Sequence, residues 1–253
     1  MIRLVNAEFS KLFTTKLWLW LLLGSFALTA LFISFTIGFD GSAGNTAPRL
    51  STPEGQRNLF SVPSAAGIFG IILGAIAVTG EFRHQTVTPT FLATPHRGRV
   101  VIAKLIAYGV AGIGYGVATV LVAIAISLPW LSAKNIDVSL GDNGIPGTLV
   151  GVVLGVAVYA LLGVGLGALI RNQIAAIVGS LVYLFVIEGF LAAVPKVRDY
   201  YKYFPGGANR ALTKQTAPDI SLLQQYQGGL LLVAYGLVFA ILGTWLAMRR
   251  DVT

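Results

Sequence analysis

Cysteine is absent from this chain of 253 residues. Disulfide frameworks and thiolate chemistry are therefore excluded. Charge is scarce, at 11% of residues against 55% hydrophobic. A soluble domain ordinarily carries about 25% charged residues, so this chain lacks the polar groups to cover a globular surface, and lipid is the solvent its composition suits. Histidine occurs only as His84 and His96, too few ligands for a metal centre. No Gly-x4-Gly-Lys-Ser/Thr sequence occurs, so the chain has no P-loop with which to bind ATP. Gly163-Val-Gly-Leu-Gly167 lacks the spacing and the preceding strand of a dinucleotide fingerprint. No serine and aspartate set in the apolar runs suggests an intramembrane protease, and no internal repeat argues for an inverted-repeat transporter. No catalytic residue is expected.

What the chain does have is apolar sequence in long runs. Leu17 to Gly38, Val62 to Thr79, Val100 to Leu128, Thr148 to Ile170, Ile174 to Val194 and Gly228 to Met248 each read as a span, since roughly 20 residues cross a bilayer as helix. Backbone amides in hydrocarbon must be bonded within the segment, so these runs are helices. The expected fold is an all-α integral membrane domain, single over residues 1–253, with six transmembrane helices. The third run exceeds a span's need and is either tilted or extended into water. The first is too long for a signal h-region and no small-x-small cleavage site follows it, so it is expected to stay in the mature protein.

Before the first span, Ile2, Val5, Phe9, Leu12 and Phe13 recur at helical spacing. Arg3, Asn6, Ser10 and Lys11 fall largely on the other face. Residues 1–16 are thus expected to form an interfacial helix on the membrane surface, cations toward headgroups. The net charge of +8 does not indicate nucleic acid. Its cations are dispersed at the ends of apolar runs, where positive-inside topology and anionic lipid account for them.

Orientation follows from the same cations. With both termini cytoplasmic, the inside segments are short and densely basic, holding Arg3, Lys11, Lys16, Arg83, Arg97, Arg99, Lys104, Arg171, Arg249 and Arg250. The outside loops are longer and mix acids with their cations. Phe39 to Ser61 and Trp130 to Gly147 read as turns. Pro195 to Gln227 differs, because Tyr200, Tyr201, Tyr203 and Phe204 precede Pro205-Gly206-Gly207. Amphipathic or re-entrant helices at the outer surface suit so many rings.

The densest polar cluster lies between the second and third spans. Pro89 and Pro95 bracket Thr90-Phe91-Leu92-Ala93-Thr94, which allows a short helix or a helix and turn across the membrane surface. Phe91 and Leu92, flanked by Arg83, Arg97 and Arg99, suit a partner's groove or, equally simply, lipid. The positions Gly80, Glu81, Phe82, Arg83, Thr86, Pro95, Arg97 and Lys104 resemble the loop after the second span in ABC-2-type transporter permeases, which commonly show Gly-Glu-aromatic-Arg, a Thr, Pro-x-Arg, then Lys. Six spans, a surface helix before the first and an aromatic Pro-Gly segment before the sixth extend the resemblance over essentially the whole chain.

That resemblance implies a multi-pass permease subunit of an ATP-driven exporter in a prokaryotic inner or plasma membrane. It implies a coupling helix in this loop, with Glu81, Phe82, Arg83, Thr86, Phe91, Leu92, Pro95, Arg97 and Lys104 as ATPase-coupling residues. The implied partners are two copies of an ABC ATPase subunit, which would hold ATP and Mg, and a second permease subunit, as homodimer more readily than heterodimer, all in membrane lipid. No cofactor is expected on this chain itself. The rival classes are a secondary transporter or channel, and a non-transporting scaffold or sensor that uses the loop for docking.

Two further features bear on function. Glu188 is the one acid inside an apolar run, a costly placement that marks functional candidates. It could line a substrate path, carry a proton, or pair with Lys196 or Arg198 near the helix end. Gly112-x3-Gly116 and Gly151-x3-Gly155 permit close helix contact.

Overall fold

The computed structural model describes residues 1–86, 97–216 and 220–249. Among these residues every regular element is helical, and six helices are long and apolar enough to cross a membrane. Helix α1 (Ile2–Thr14) precedes the first span, α2 (Leu17–Gly38). The second span is composite: α3 (Pro53–Ser61), a 3-10 turn (Val62–Ala66) and α4 (Gly67–Arg83). The third is α5 (Arg97–Ala133), unbroken over 37 residues. The fourth is α6 (Ile145–Ile170). The fifth is also composite, with α7 (Gln173–Val182), a π-helical turn (Tyr183–Ile187) and α8 (Glu188–Ala193). Short helices α9 (Pro195–Arg198) and α10 (Pro205–Leu212) lead to the sixth, α11 (Gln225–Arg249).

The segment expected to be turns from Phe39 to Ser61 is partly helical. Thr52 accepts a hydrogen bond from the Gly55 amide at 3.1 Å, Pro53 occupies the first helical position, and Glu54 pairs with Arg57 at 2.9 Å. These local signals start a helix nine residues before the apolar run does. The aromatic Pro-Gly segment before the sixth span forms the short helices anticipated for it.

Helix α6 is the axis of the bundle. It packs against α4, α5 and α11, and the approach is set by missing side chains. A Cβ at Gly74 of α4 would lie 2.1 Å from the Ala160 carbonyl oxygen, and one at Gly163 of α6 would lie 2.2 Å from that of Ile71. On α5, Gly112 and Gly116 abut Ala157 and Val153 of α6, each leaving 2.7 Å between a Cβ and the neighbouring Cα. The Gly112 motif is thus a span–span contact. The Gly151 motif meets α10, with Cβ positions 2.2 Å from the Leu212 carbonyl oxygen and 2.5 Å from Asn209 Oδ1.

Polar ties close both ends of the bundle. At the α1 end the Tyr115 hydroxyl donates to the Trp18 carbonyl. At the opposite end Lys134 donates to the Ile37 carbonyl, Gln56 Nε2 to Asp137 O at 3.1 Å, and Gln225 Nε2 to Gly147 O at 2.7 Å.

Candidate functional site

Four charged side chains meet where α1, α4 and α5 converge. Glu8 lies in mid-α1, with Lys11 one turn later on the same side. Glu81 is in the last turn of α4 and Lys104 in the second turn of α5. Lys104 Nζ donates to Glu8 Oε2 at 2.7 Å, to Glu81 Oε1 at 2.8 Å and to the Ala77 carbonyl at 3.2 Å. An ammonium has three donors, so these acceptors match its full capacity. Lys11 Nζ bridges the same two acids, 2.7 Å from Glu8 Oε1 and 2.7 Å from Glu81 Oε1. Two carboxylates and two ammoniums leave the cluster formally neutral.

The members differ in exposure. The Glu8 and Lys104 side chains are 4% and 5% exposed, Glu81 14%, and Lys11 44%. The inner pair is out of water, and Lys11 covers it from the rim. Burial pulls the Lys11 ammonium down, but its hydrogen bonds to Glu8 and Glu81 and their negative charge outweigh that and raise it above the ordinary lysine value.

This arrangement revises the reading of α1. Val5, Phe9 and Leu12 pack on the bundle's core cluster, and Glu8 lies in the same buried face. Ile2 and Phe13 remain exposed, at 78% and 56%. The apolar stripe is thus spent largely on the bundle. Lys11, expected to point at headgroups, instead binds two acids. Glu8 does not stand out in the apolar and cationic pattern of residues 1–16. The available signal was that it is the one acid before Asp40, three residues ahead of a lysine.

The residues singled out around the loop are brought together only in part. Glu81 and Lys104 bind each other and α1, turned into the bundle. Phe82 packs against the core and lies under the Arg171 guanidinium, 5.1 Å from ring centroid to Cζ. Arg83 is exposed and reaches Gln173 Oε1 at 3.4 Å. Thr86 follows the end of α4, its amide donating to the Glu81 carbonyl at 2.9 Å. Arg97 begins α5. Phe91, Leu92 and Pro95, with the expected coupling helix, lie outside the described residues.

Glu188 sits at the far end of the bundle, at the start of α8, and is 4% exposed. Its Oε1 accepts the Gly206 amide of α10 at 2.9 Å. Neither Lys196 nor Arg198 forms a salt bridge with it among the described residues. The partner is a backbone amide that Gly206 exposes, since a Cβ there would fall 1.6 Å from Glu188 Oε2. Sequence spacing pointed to nearby cations; the chain instead folds back and places Gly206 over the carboxylate.

The site at the α1 end therefore makes a three-helix clasp. It ties α1 to the helix entering the segment 84–96 and to the helix leaving it. Nothing in it is arranged for bond-making chemistry: both acids and both bases are committed to one another.

A protein-family model described as ABC-2 family transporter protein matches residues 5–252. No curated protein matches the chain.

Proposed function

The chain belongs to the ABC-2 family of transporter proteins, and from that premise we propose that it is the permease subunit of an ATP-driven exporter whose ATPase is a separate chain. Membership covers nearly the whole sequence and agrees with six apolar helices. The protein is thus a multi-pass membrane component of an ABC transporter. Its partner ATPase supplies the P-loop this sequence lacks, and holds ATP and Mg. Two ATPase copies and two permease subunits, the latter as a homodimer, make up the working unit. Both termini and residues 81–99 face the cytoplasm, and residues 40–60 and 196–226 face outward.

The observation that carries this reading is the clasp. The segment between α4 and α5 is anchored on both sides by one buried ion cluster, through Glu81 before it and Lys104 after it. A partner pushing on that segment loads two helix ends that are joined by the cluster. When ATP closes the ATPase pair, the push passes into α4 and α5 together and carries α1 with them through Glu8. In this division of labour Glu81 and Lys104 transmit, while Phe91 and Leu92 supply the apolar contact.

Co-purification tests the reading. The tagged chain, co-expressed with a P-loop ATPase encoded beside it, is expected to retain that subunit through purification. Phe91→Asp together with Leu92→Asp places charge in an apolar groove, where desolvation costs several kcal/mol, and is expected to release the ATPase while the permease still inserts. Full retention of the ATPase by the double variant would refute the contact. A cysteine placed at Arg97 in this cysteine-free chain is expected to resist labelling by an impermeant reagent in intact cells.

A further inference from the structure

Two cavities adjoin within the bundle, one in the half remote from α1 and one reaching from mid-bundle toward the α1 end. The larger, about 420 Å³, opens between α2, the Val62–Ala66 turn, the π-helical turn and α10. The smaller, about 330 Å³, lies between α4, α6, α7 and α11 and is lined almost wholly by apolar side chains. Tyr159 and Leu184 border both. These volumes fall in the range of small-molecule sites.

Helix α10 reaches the larger cavity by dipping between the spans. Asn209 stands against Gly155, ten residues or about 15 Å along α6 from its start at Ile145. Gly206 stands against Glu188, five residues before α8 ends at Ala193. Arg210 is therefore a cation carried in among apolar helices. It is half-buried, lines the cavity, and has its guanidinium 5.4 Å from the Tyr201 ring centroid. It enters no salt bridge among the described residues. Glu188 is already held by the Gly206 amide.

A charge set inside a membrane bundle is expensive and characteristically faces a cavity on a functional path. A guanidinium offers a planar fork of donors that fits phosphate and carboxylate. The opposite wall is apolar. Phe32 and Phe35 of α2 and Phe185 of the π-helical turn line the cavity and remain exposed on the helix surfaces, so its mouth is aromatic and faces outward from the bundle. π-Helical turns occur frequently at functional sites, and this one supplies both Leu184 and Phe185 to the lining.

We propose that the two cavities form one binding site for an anionic amphiphile, with its phosphate or carboxylate at Arg210 and its apolar chain along Phe32, Phe35 and Leu184. Two sources carry this chemistry: a bilayer phospholipid resident in the site, and an anionic amphiphile that the protein moves. The binding proposal goes beyond the permease assignment and is tested without the ATPase.

The purified full chain in a maltoside detergent is titrated with lysophosphatidylglycerol, an uncharged monoacylglycerol or inorganic phosphate, and binding is read as saturable thermal stabilisation. Lysophosphatidylglycerol is expected to bind, and inorganic phosphate at the same concentration to have no effect. Losing a charge-assisted contact corresponds to about tenfold or more in Kd. That loss is expected for the monoacylglycerol on the native chain and for lysophosphatidylglycerol on Arg210→Gln. Arg210→Lys keeps the charge and is expected to stay between the two. Ala65→Phe leaves Arg210 in place but fills the cavity from the Val62–Ala66 turn, and is expected to weaken binding as well. Equal Kd for the native chain and Arg210→Gln, or for lysophosphatidylglycerol and the monoacylglycerol, would overturn the proposal. The source is then read in phosphatidylcholine vesicles with the ATPase added. A transported amphiphile stimulates ATP hydrolysis by the native complex and not by Arg210→Gln, whereas a resident lipid binds without altering hydrolysis.

Discussion

Replacing Lys104 by Met isolates the energetic role of the clasp. The change keeps most of the side-chain volume and removes the charge. Glu8 Oε2, Glu81 Oε1 and the Ala77 carbonyl each lose a donor within 3.2 Å. Glu8, 4% exposed, and Glu81, 14% exposed, are then left with Lys11 alone. Breaking a buried pair by deleting one partner costs about 3–5 kcal/mol, because the remaining charge is out of water and uncompensated. Lys11→Met removes a charge from the same acids, but its side chain is 44% exposed and solvent takes over much of its role, so about 0–1 kcal/mol is expected. At about 2–4 °C per kcal/mol for a chain of this size, the melting temperature of the detergent-solubilised protein should fall by roughly 6–20 °C for Lys104→Met and by no more than roughly 4 °C for Lys11→Met. Adding Glu8→Gln to Lys104→Met restores neutrality, since Glu81 and Lys11 remain paired. The double variant should be less destabilised than the sum of the singles, by about 0.5–3 kcal/mol as contacting residues commonly show. Equal effects of Lys104→Met and Lys11→Met, or strict additivity in the cycle, would refute the assignment of a buried, charge-balanced cluster.

Other outcomes follow from the same geometry. Gly74→Val should abolish the monodisperse elution peak of the native protein, because its Cβ would lie 2.1 Å from the Ala160 carbonyl oxygen and overpacking costs about 1–3 kcal/mol or more; Gly114→Ala, with nothing within 4 Å of its Cβ, should elute unchanged. Glu188→Gln keeps an acceptor for the Gly206 amide and should alter thermal stability little, whereas Glu188→Leu strands that donor at about 1–3 kcal/mol. Lys196→Ala, at an exposed residue that does not pair with Glu188, should leave stability unchanged. The Lys11 pKa is raised on folding, so its contribution is fully present below the unfolded lysine value near about 10.4 and is lost as pH rises through the higher folded value. The stability gap between the native chain and Lys11→Met should therefore close with rising pH above that point, measured by chemical denaturation.

The spans were legible in the sequence because transfer from water to lipid is close to a sum over residues, and a run such as Thr148 to Ile170 carries its preference for lipid wherever it lies in the fold. The cluster Gly80 to Lys104 was legible as a pattern for a related reason: its charges stand out against apolar flanks. The start of α3 at Pro53 was written locally too, in Thr52, Pro53 and Glu54, but hydropathy is blind to caps. Pairing was of another kind. Which acid meets Lys104 depends on how α1 is rotated and where it crosses α5, and Glu8 lies 96 residues away. Glu188 looked destined for the cations that follow it, yet a chain reversal delivers a backbone amide from Gly206. The Gly151 motif permits close helix contact, and only the fold decides that the helix it receives is the short α10. Hydrophobicity chooses the solvent of each segment from its own composition. The partners of its few polar atoms and missing side chains depend on helix rotation and close approach, which arise from all the segments packing at once.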